Sequence, residues 1–342
     1  MKLVQTQRDS LLKPLQAVTG IVEKRHTLPI LSNVLIEQIE DRLQLLATDL
    51  EIQVSTSFAN AQKGASNYAV TTSARKLLDI LRALPEQADV VLEAQNNRMT
   101  VKSGKSRFSL QTLPAEDFPK LPKSTAAGAT LKLSQQSLKA LLLLVQYAMA
   151  QQDIRYYLNG MLLVLGADGL KVVATDGHRL AYASMKLAEN VAPLEVILPR
   201  KAVQELVKLL GDNDDQVELE LSSSQVKFAI GDVVLVSKVV DDKFPDFTRV
   251  IPTNYQKHFM IERGALQQAL QRVAILSNEK FRGVRWTLTD GQLRIACTNT
   301  EQEEAFEEIE IDYAGEALDR KSHTSELQSR FGISYAVFCL KK

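Results

Sequence analysis

The chain has 342 residues, 45% hydrophobic and 24% charged, with 41 Lys and Arg set against 41 Asp and Glu. At about 150 residues per domain that length implies two or three cores. The opening stretch MKLVQTQRDS lacks the apolar centre of a signal peptide. The longest apolar run, ALLLLV at 140–145, is too short to cross a bilayer, so a spanning helix is excluded and a cytoplasmic protein is expected. Cys297 and Cys339 are the only cysteines, which excludes a disulfide framework and a Cys-based metal site; no cofactor is expected.

From the N-terminus, RDSLLKPLQAV, starting at Arg8, carries Leu and Val at helical spacing and is followed by a hairpin whose second strand ends in LLATDLE at 45–51. Ser73 is a candidate N-cap for a second helix, ARKLLDILRALP at 74–85. Farther on, SGKS at 103–106 mimics the end of a phosphate-binding loop. Such a loop needs Gly five positions before Gly104, where Met99 stands, so the stretch reads as a hairpin turn between RMTVK and RFSL. EDFPKLP at 116–122 and a small-residue stretch from Pro122 to Gly128 close this segment.

The pattern then starts again. Ser134 precedes QQSLKALLLLV, VVATDGHRL stands at 172–180, PRKAVQELVKLL at 199–210 and DKFPDF at 242–247, with a linker expected near Pro252 to Gln256. A third start, RGALQQALQRV from Arg263, leads to CTNTEQE at 297–303. Leu12, Leu138 and Leu266 are placed at matching positions of the three first helices. Asp168-Gly169 and Asp290-Gly291 are the expected hairpin turns, because these residues accept positive φ. A unit of roughly 125 residues used about three times is the signature of a repeat architecture. The expected fold is α+β, with two helices packed on antiparallel sheets in each of three copies: 1–123, 124–250 and a third, truncated copy at 251–318.

Charge is unevenly distributed. The expected helices 7–24, 73–84, 134–152, 200–210 and 262–278 hold twelve basic residues against five acidic ones, although no copy is strongly basic as a whole. Helices gathered on one side would make that side attractive to phosphate; on a merely solvated face the same residues would just be good helix formers. Asp176 and His178 stand two apart in a strand turn, without a Ser or Cys nucleophile motif, which disfavours a hydrolase. His26, His258 and His323 have no ligand spacing, and GDNDD at 211–215 lacks the pattern of a calcium loop.

TLPIL, RFSLQTLPAEDFP, QDIRYYLNGM, ATDGHRLA, LPRK, SKVVDDKFPDF and AILSNEKFRGVR, in this order over residues 1 to about 313, make the chain resemble the bacterial beta sliding clamp family. The resemblance implies three clamp domains per subunit and a head-to-tail homodimer that closes round duplex DNA, with helices lining the hole. It implies a non-catalytic processivity factor of the replicative DNA polymerase, which holds DNA by enclosure and raises the local concentration of its partners.

Carried over residue by residue, DNA contacts fall on Arg25, Arg75, Gln152, Tyr156 and Tyr157. From the residues alone the tyrosine pair reads as one ring inside and one outside; the resemblance puts both on DNA. A groove for short peptide motifs falls on Leu158, Thr175, Gly177, His178, Arg179 and Leu180, with Pro245, Arg249 and Val250. The partners implied are the replicative polymerase catalytic subunit, the clamp loader, and other polymerases and repair factors that carry clamp-binding motifs. Phe108 and Leu110 are expected to meet Ile275 and Leu276 of a second subunit, with Lys76 and Arg107 facing Glu301, Glu303 and Glu304; ordinary core packing is the other reading of Ile275 and Leu276. Gln151 stands where the family often has His. A protein-binding repeat scaffold without DNA encirclement is the alternative reading.

After the third copy of the strand pair, the repeat calls for a helix near 323. Residues 319–342, ending SELQSRFGISYAVFCLKK, match no part of the unit and read as a non-native tail, a translated sequencing adapter running into poly-A. On that reading copies one and two are well formed and copy three is incomplete, with exposed strand edges.

Overall fold

The computed structural model describes residues 2–23, 28–59, 68–95, 97–122, 128–187, 191–251, 258–277 and 283–323. The chain divides into two compact units, Met1–Phe244 and Pro245–Lys342.

Copy one begins with β1 (Lys2–Gln7) and α1 (Arg8–Thr19), continues through β2 (Asn33–Ile39), β3 (Arg42–Thr48), β4 (Ile52–Ala59) and β5 (Tyr68–Ser73), then α2 (Ala74–Ala83), and ends with β6 (Asp89–Gln95), β7 (Arg98–Ser103) and β8 (Ser106–Leu113). Copy two repeats the order as β9 (Ala129–Ser134), α3 (Gln135–Leu143), β10 (Gly160–Gly166), β11 (Gly169–Thr175), β12 (Leu180–Met185), β13 (Leu194–Pro199), α4 (Arg200–Leu209), β14 (Gln216–Leu221), β15 (Gln225–Ile230) and β16 (Val233–Lys238). The second unit holds α5 (Arg263–Val273), β17 (Gly283–Thr289), β18 (Gln292–Thr298), β19 (Glu304–Glu310) and β20 (Leu318–His323).

Each first half-unit forms the same four-stranded antiparallel sheet. Its order is β4-β3-β2-β5 in copy one, β12-β11-β10-β13 in copy two and β19-β18-β17-β20 in copy three. The second half-units of copies one and two form β1-β6-β7-β8 and β9-β14-β15-β16. Across the boundary of these two copies β4 pairs antiparallel with β16, from Thr56 opposite Val233 to Ile52 opposite Ser237. One continuous core, with Leu15, Leu81, Leu142 and Leu206 among its members, runs through both copies. Among the described residues four ion pairs also cross the boundary: Arg42 to Asp232 at 2.9 Å, Lys238 to Glu51 at 3.1 Å, and Lys201 to both Glu23 and Asp49 at 2.7 and 2.5 Å. Phe118 of EDFPKLP anchors the following chain on Leu35 and Leu46.

Several sequence expectations shift in register. Three buried residues recur at a constant offset: Leu11, Leu15 and Val18 in copy one, Leu138, Leu142 and Val145 at and just past α3 in copy two, and Leu266, Leu270 and Val273 in copy three. Leu11, not Leu12, is therefore the counterpart of Leu138; Leu12 only packs against the margin of the core. Ser134 caps α3 through Ser137 N, whereas Ser73 makes no side-chain cap, and α5 is capped by the Glu262 carboxylate. Asp290-Gly291 is the two-residue loop between β17 and β18, but in copy two the loop is Ala167-Asp168, because Gly166 already pairs with Gly169. Ser103 pairs with Ser106, so SGKS is a hairpin turn.

In the second unit, Trp286, Leu270, Ile295 and Tyr313 lie in a separate core. β20 pairs with β17 from Leu318 to His323 and so crosses the 318/319 boundary drawn from the repeat. The expected linker at 252–256 and residues 324–342, most of the expected tail, lie outside the described residues.

The turn between β3 and β4 holds Leu50 at φ 78°, in the left-handed region that suits glycine. Replacing it, Leu50→Gly, should raise the denaturation free energy by about 1 kcal/mol despite the looser unfolded chain, read from the chemical denaturation midpoint.

Candidate functional site

The motif ATDGH closes β11 and opens β12 through a turn built from its own side chains. Thr175 Oγ1 donates to the Arg179 carbonyl at 2.6 Å and accepts from Gly177 N at 3.1 Å. Asp176 Oδ1 accepts from His178 N at 3.0 Å and Arg179 N at 3.1 Å, while Oδ2 accepts from Arg179 Nε at 2.9 Å. Gly177 takes φ 88°. Copy one makes the same turn. Thr48 donates to the Ile52 carbonyl, Asp49 Oδ1 accepts from Glu51 N and Ile52 N, and Leu50 occupies the glycine position. In copy three, Asn299 Oδ1 accepts from Glu301 N and Glu303 N. The Asp of this motif is thus an architectural acceptor that recurs with the fold. Both its oxygens are engaged and it meets His178 only at the backbone, so the two side chains form no acid–base pair.

Facing this turn is the segment 147–159, which includes the 3-10 turn Tyr156–Leu158. Asn159 fixes it by a reciprocal pair, accepting from Asp153 N at 2.9 Å and donating to the Asp153 carbonyl at 2.7 Å. Arg155 donates to both Asp153 oxygens, at 3.0 and 2.8 Å, and reaches the Asp176 carbonyl at 3.5 Å. That fork holds the Asp153 carboxyl down to about 2. A β-carbon on Gly177 would stand 3.1 Å from the Arg155 guanidinium, so the glycine provides both the backbone angle and room for the arginine. From α4, Arg200 Nη1 donates to the Met149 carbonyl at 2.7 Å. Arg179 lies over the Tyr147 ring, 5.5 Å from its centroid.

These groups enclose an open cleft of about 360 Å³. Tyr147, Met149 and Ala150 supply its apolar wall; Gln151, Asp153, Arg155, Asp176, His178, Arg179 and Arg200 supply its polar one. Such a mixture suits a short extended peptide, with apolar anchors and rim donors.

Models of the DNA polymerase III beta subunit match the chain along most of its length: the N-terminal domain at residues 1–122, the central domain at 132–246 and the C-terminal domain at 248–320. The beta sliding clamp of Pseudomonas putida is 44% identical over 333 residues, covering 96% of this chain and 89% of that protein. That of Escherichia coli K12 is 43% identical over 331 residues, covering 97% and 87%. The crystal structure of the DNA polymerase III subunit beta from Pseudomonas aeruginosa superposes with TM-score 0.90 at 42% identity, covering 96% of this chain and 89% of that one. A DnaN sliding clamp from the same organism, bound to griselimycin, gives TM-score 0.90 at 41% identity, covering 96% and 88%.

The chain belongs to the DNA polymerase III beta subunit family. As a beta sliding clamp it is a non-catalytic processivity subunit that tethers the DNA polymerase III holoenzyme. Among the described residues no helix is long and apolar enough to cross a membrane.

Of the clamp residues carried over from sequence, His178 and Arg179 line the cleft, while Thr175 and Gly177 build the turn behind them. Leu180 begins β12 half-buried, and Leu158 is buried, 1% exposed. Pro245, Arg249 and Val250 belong to the second unit, where all three are exposed and Arg249 pairs with Asp246 at 2.8 Å. Tyr156 is 73% exposed and Tyr157 half-buried, and Gln152 is exposed at φ 57°. Arg75 is exposed but gives one Nη to the Val22 carbonyl at 2.6 Å; Arg25 lies outside the described residues. Phe108 is half-buried on the core and Leu110 is in it, whereas Ile275 is 78% exposed and Leu276 half-buried.

Tyr147, Met149, Asp153, Arg155 and Arg200 are cleft residues that sequence reading missed. One signal was available: Arg200 occupies the place of Arg75, and each donates to a carbonyl just beyond the first helix of its copy.

The Asp153 carboxyl should titrate near pH 2 by carbon-detected NMR, and Arg155→Gln should move that midpoint towards the unperturbed value of about 3.9. Because the folded pKa is depressed, the Arg155–Asp153 contribution is complete above about pH 3.9 and fades as pH falls through 2. Asp176→Ala, which removes the acceptor of two turn N–H groups, should cost about 1–3 kcal/mol of stability, and Asp176→Asn, which keeps an acceptor oxygen, clearly less.

Proposed function

We propose that two copies of this chain join head to tail into a ring round duplex DNA, and that the cleft of copy two captures peptide segments of the replicative polymerase, the clamp loader and other DNA polymerases and repair factors. The observation that carries this reading is the β4·β16 ladder. It joins the third strand of one first half-unit to the last strand of the next second half-unit. β19 and β8 occupy those same two places in copies three and one. Among the described residues β19 pairs only with β18, and residues 106–111 of β8 have strand partners only on the β7 side. An unpaired ladder edge invites another strand. The two edges have opposite charge, Arg107 with Lys105 against Glu304, Glu307 and Glu308, which favours one register between copies. Phe108, Leu110, Ile275 and Leu276 are the apolar groups proposed for that seam.

DNA contact is proposed for Arg25, Arg75, Gln152, Tyr156 and Tyr157. Support comes from the helices of copy one: Lys13, Lys76 and Arg82 meet no carboxylate among the described residues, leaving their charge available to phosphate. The exposed Tyr156 ring offers a stacking face. The peptide groove is proposed for Leu158, Thr175, Gly177, His178, Arg179 and Leu180, with Pro245, Arg249 and Val250; the griselimycin complex of a relative supports it. A cytoplasmic location fits these partners.

Retention on circular DNA is the test. Clamp loaded on a nicked circle should stay bound through gel filtration at high salt and be lost when the circle is cut once; loss from the intact circle, or retention on linear DNA with free ends, sinks the ring. In the same assay at low salt, Tyr156→Ala should weaken association with primed DNA about tenfold, the scale of one lost stacking contact.

A further inference from the structure

α4 opens on two consecutive cations with different duties. Arg200 Nη1 donates to the carbonyls of Met149 at 2.7 Å and Ala150 at 3.3 Å, and its backbone N–H donates to the Asn159 carbonyl at 2.9 Å. Lys201 leaves copy two altogether: its Nζ donates to Asp49 Oδ2 at 2.5 Å and Glu23 Oε1 at 2.7 Å, both in copy one. Asp49 is already committed through Oδ1 to the β3–β4 turn. In copy one the corresponding pair is Arg75 and Lys76. Arg75 donates to the Val22 carbonyl, but Lys76 meets no carboxylate among the described residues. The arginine contact is therefore a property of the repeat, and the two-carboxylate lysine contact a property of this junction.

We propose that the Arg200–Lys201 pair couples the peptide cleft of copy two to its junction with copy one. Arg200 acts as a positioning residue that holds the Met149–Ala150 wall, and Lys201 sets where the start of α4 stands against copy one. Two adjacent residues in one helical turn move as a rigid piece, and a charged hydrogen bond at 2.7 Å tolerates displacement of only a few tenths of an ångström. A shift of the Asp49 turn is thus carried through Lys201 and Arg200 into the cleft wall. This inference rests on the cleft being a peptide site.

Fluorescence polarisation with labelled griselimycin and the full chain tests it. Lys201 does not line the cleft, so Lys201→Met removes no direct contact with the probe. Arg200→Met should weaken griselimycin about tenfold, the scale of a lost charged hydrogen bond. Lys201→Met should weaken it about threefold or more, and Asp49→Asn, whose amide keeps the turn acceptor while losing the anion, should do the same. Adding Lys201→Met to Arg200→Met should cost little more, because the effect runs through Arg200. Glu51→Gln, which weakens the Lys238 pair at the same junction, should leave the affinity unchanged. Wild-type affinity in both Lys201→Met and Asp49→Asn overturns the coupling, as does an equal loss in Glu51→Gln. These variants decide the matter even where Arg200→Met does not fold. An unsubstituted chain that does not bind griselimycin overturns the peptide-cleft reading, and the coupling with it.

Discussion

Five residue pairs join β4 of copy one to β16 of copy two, and much of the molecule is arranged around that ladder. The ladder turns two separate half-sheets into one sheet and lets the helices beneath share a single core. It also fixes the offset at which Arg42, Glu51 and Asp49 meet Asp232, Lys238 and Lys201. The exposed pairs Arg42–Asp232 and Lys238–Glu51 contribute little energy singly; their value here is register, since a one-residue slip would turn every side chain to the wrong face and separate each pair. A repeat joined to its neighbour by edge pairing always leaves one edge over at each end, and a closed ring is the arrangement in which no edge remains.

The same economy governs the β3–β4 and β11–β12 turns. Each needs a side-chain acceptor for two backbone N–H groups and a residue with positive φ. Copy one meets the second requirement with Leu50, tolerating strain, and spends its free carboxylate oxygen on Lys201. Copy two meets it with Gly177, which also makes room for Arg155, and binds its free oxygen to Arg179 within the turn. One turn grips a neighbouring copy. Its counterpart, satisfied internally, leaves His178 and Arg179 facing an open cleft.

The repeat, the α+β class and the helix positions were legible in the sequence because hydrophobic periodicity and a fixed offset depend only on local geometry and on recurrence. Burial of Leu138 and Leu142 in α3, of Val145 just past its end, and of the equivalent residues in α5 follows directly from that spacing. In copy one periodicity alone does not choose between Leu11 and Leu12, since both are apolar and only packing against the sheet distinguishes them. Ser73 was a plausible cap by residue type, yet its side chain caps nothing, because capping depends on a rotamer as well as on identity.

At the site, ATDGH could be singled out as a motif but not understood. By itself the sequence determined that this chain is a threefold repeat whose helices carry an excess of cations, because composition and period survive without any knowledge of distance. The tertiary structure alone decided that Asp176 is an architectural acceptor, that residues as distant as Met149, Asp176 and Arg200 border one cleft, and that Lys201 serves copy one rather than its own. Those facts depend on which donor lies within about 3 Å of which acceptor, and chain separation carries no information at that scale.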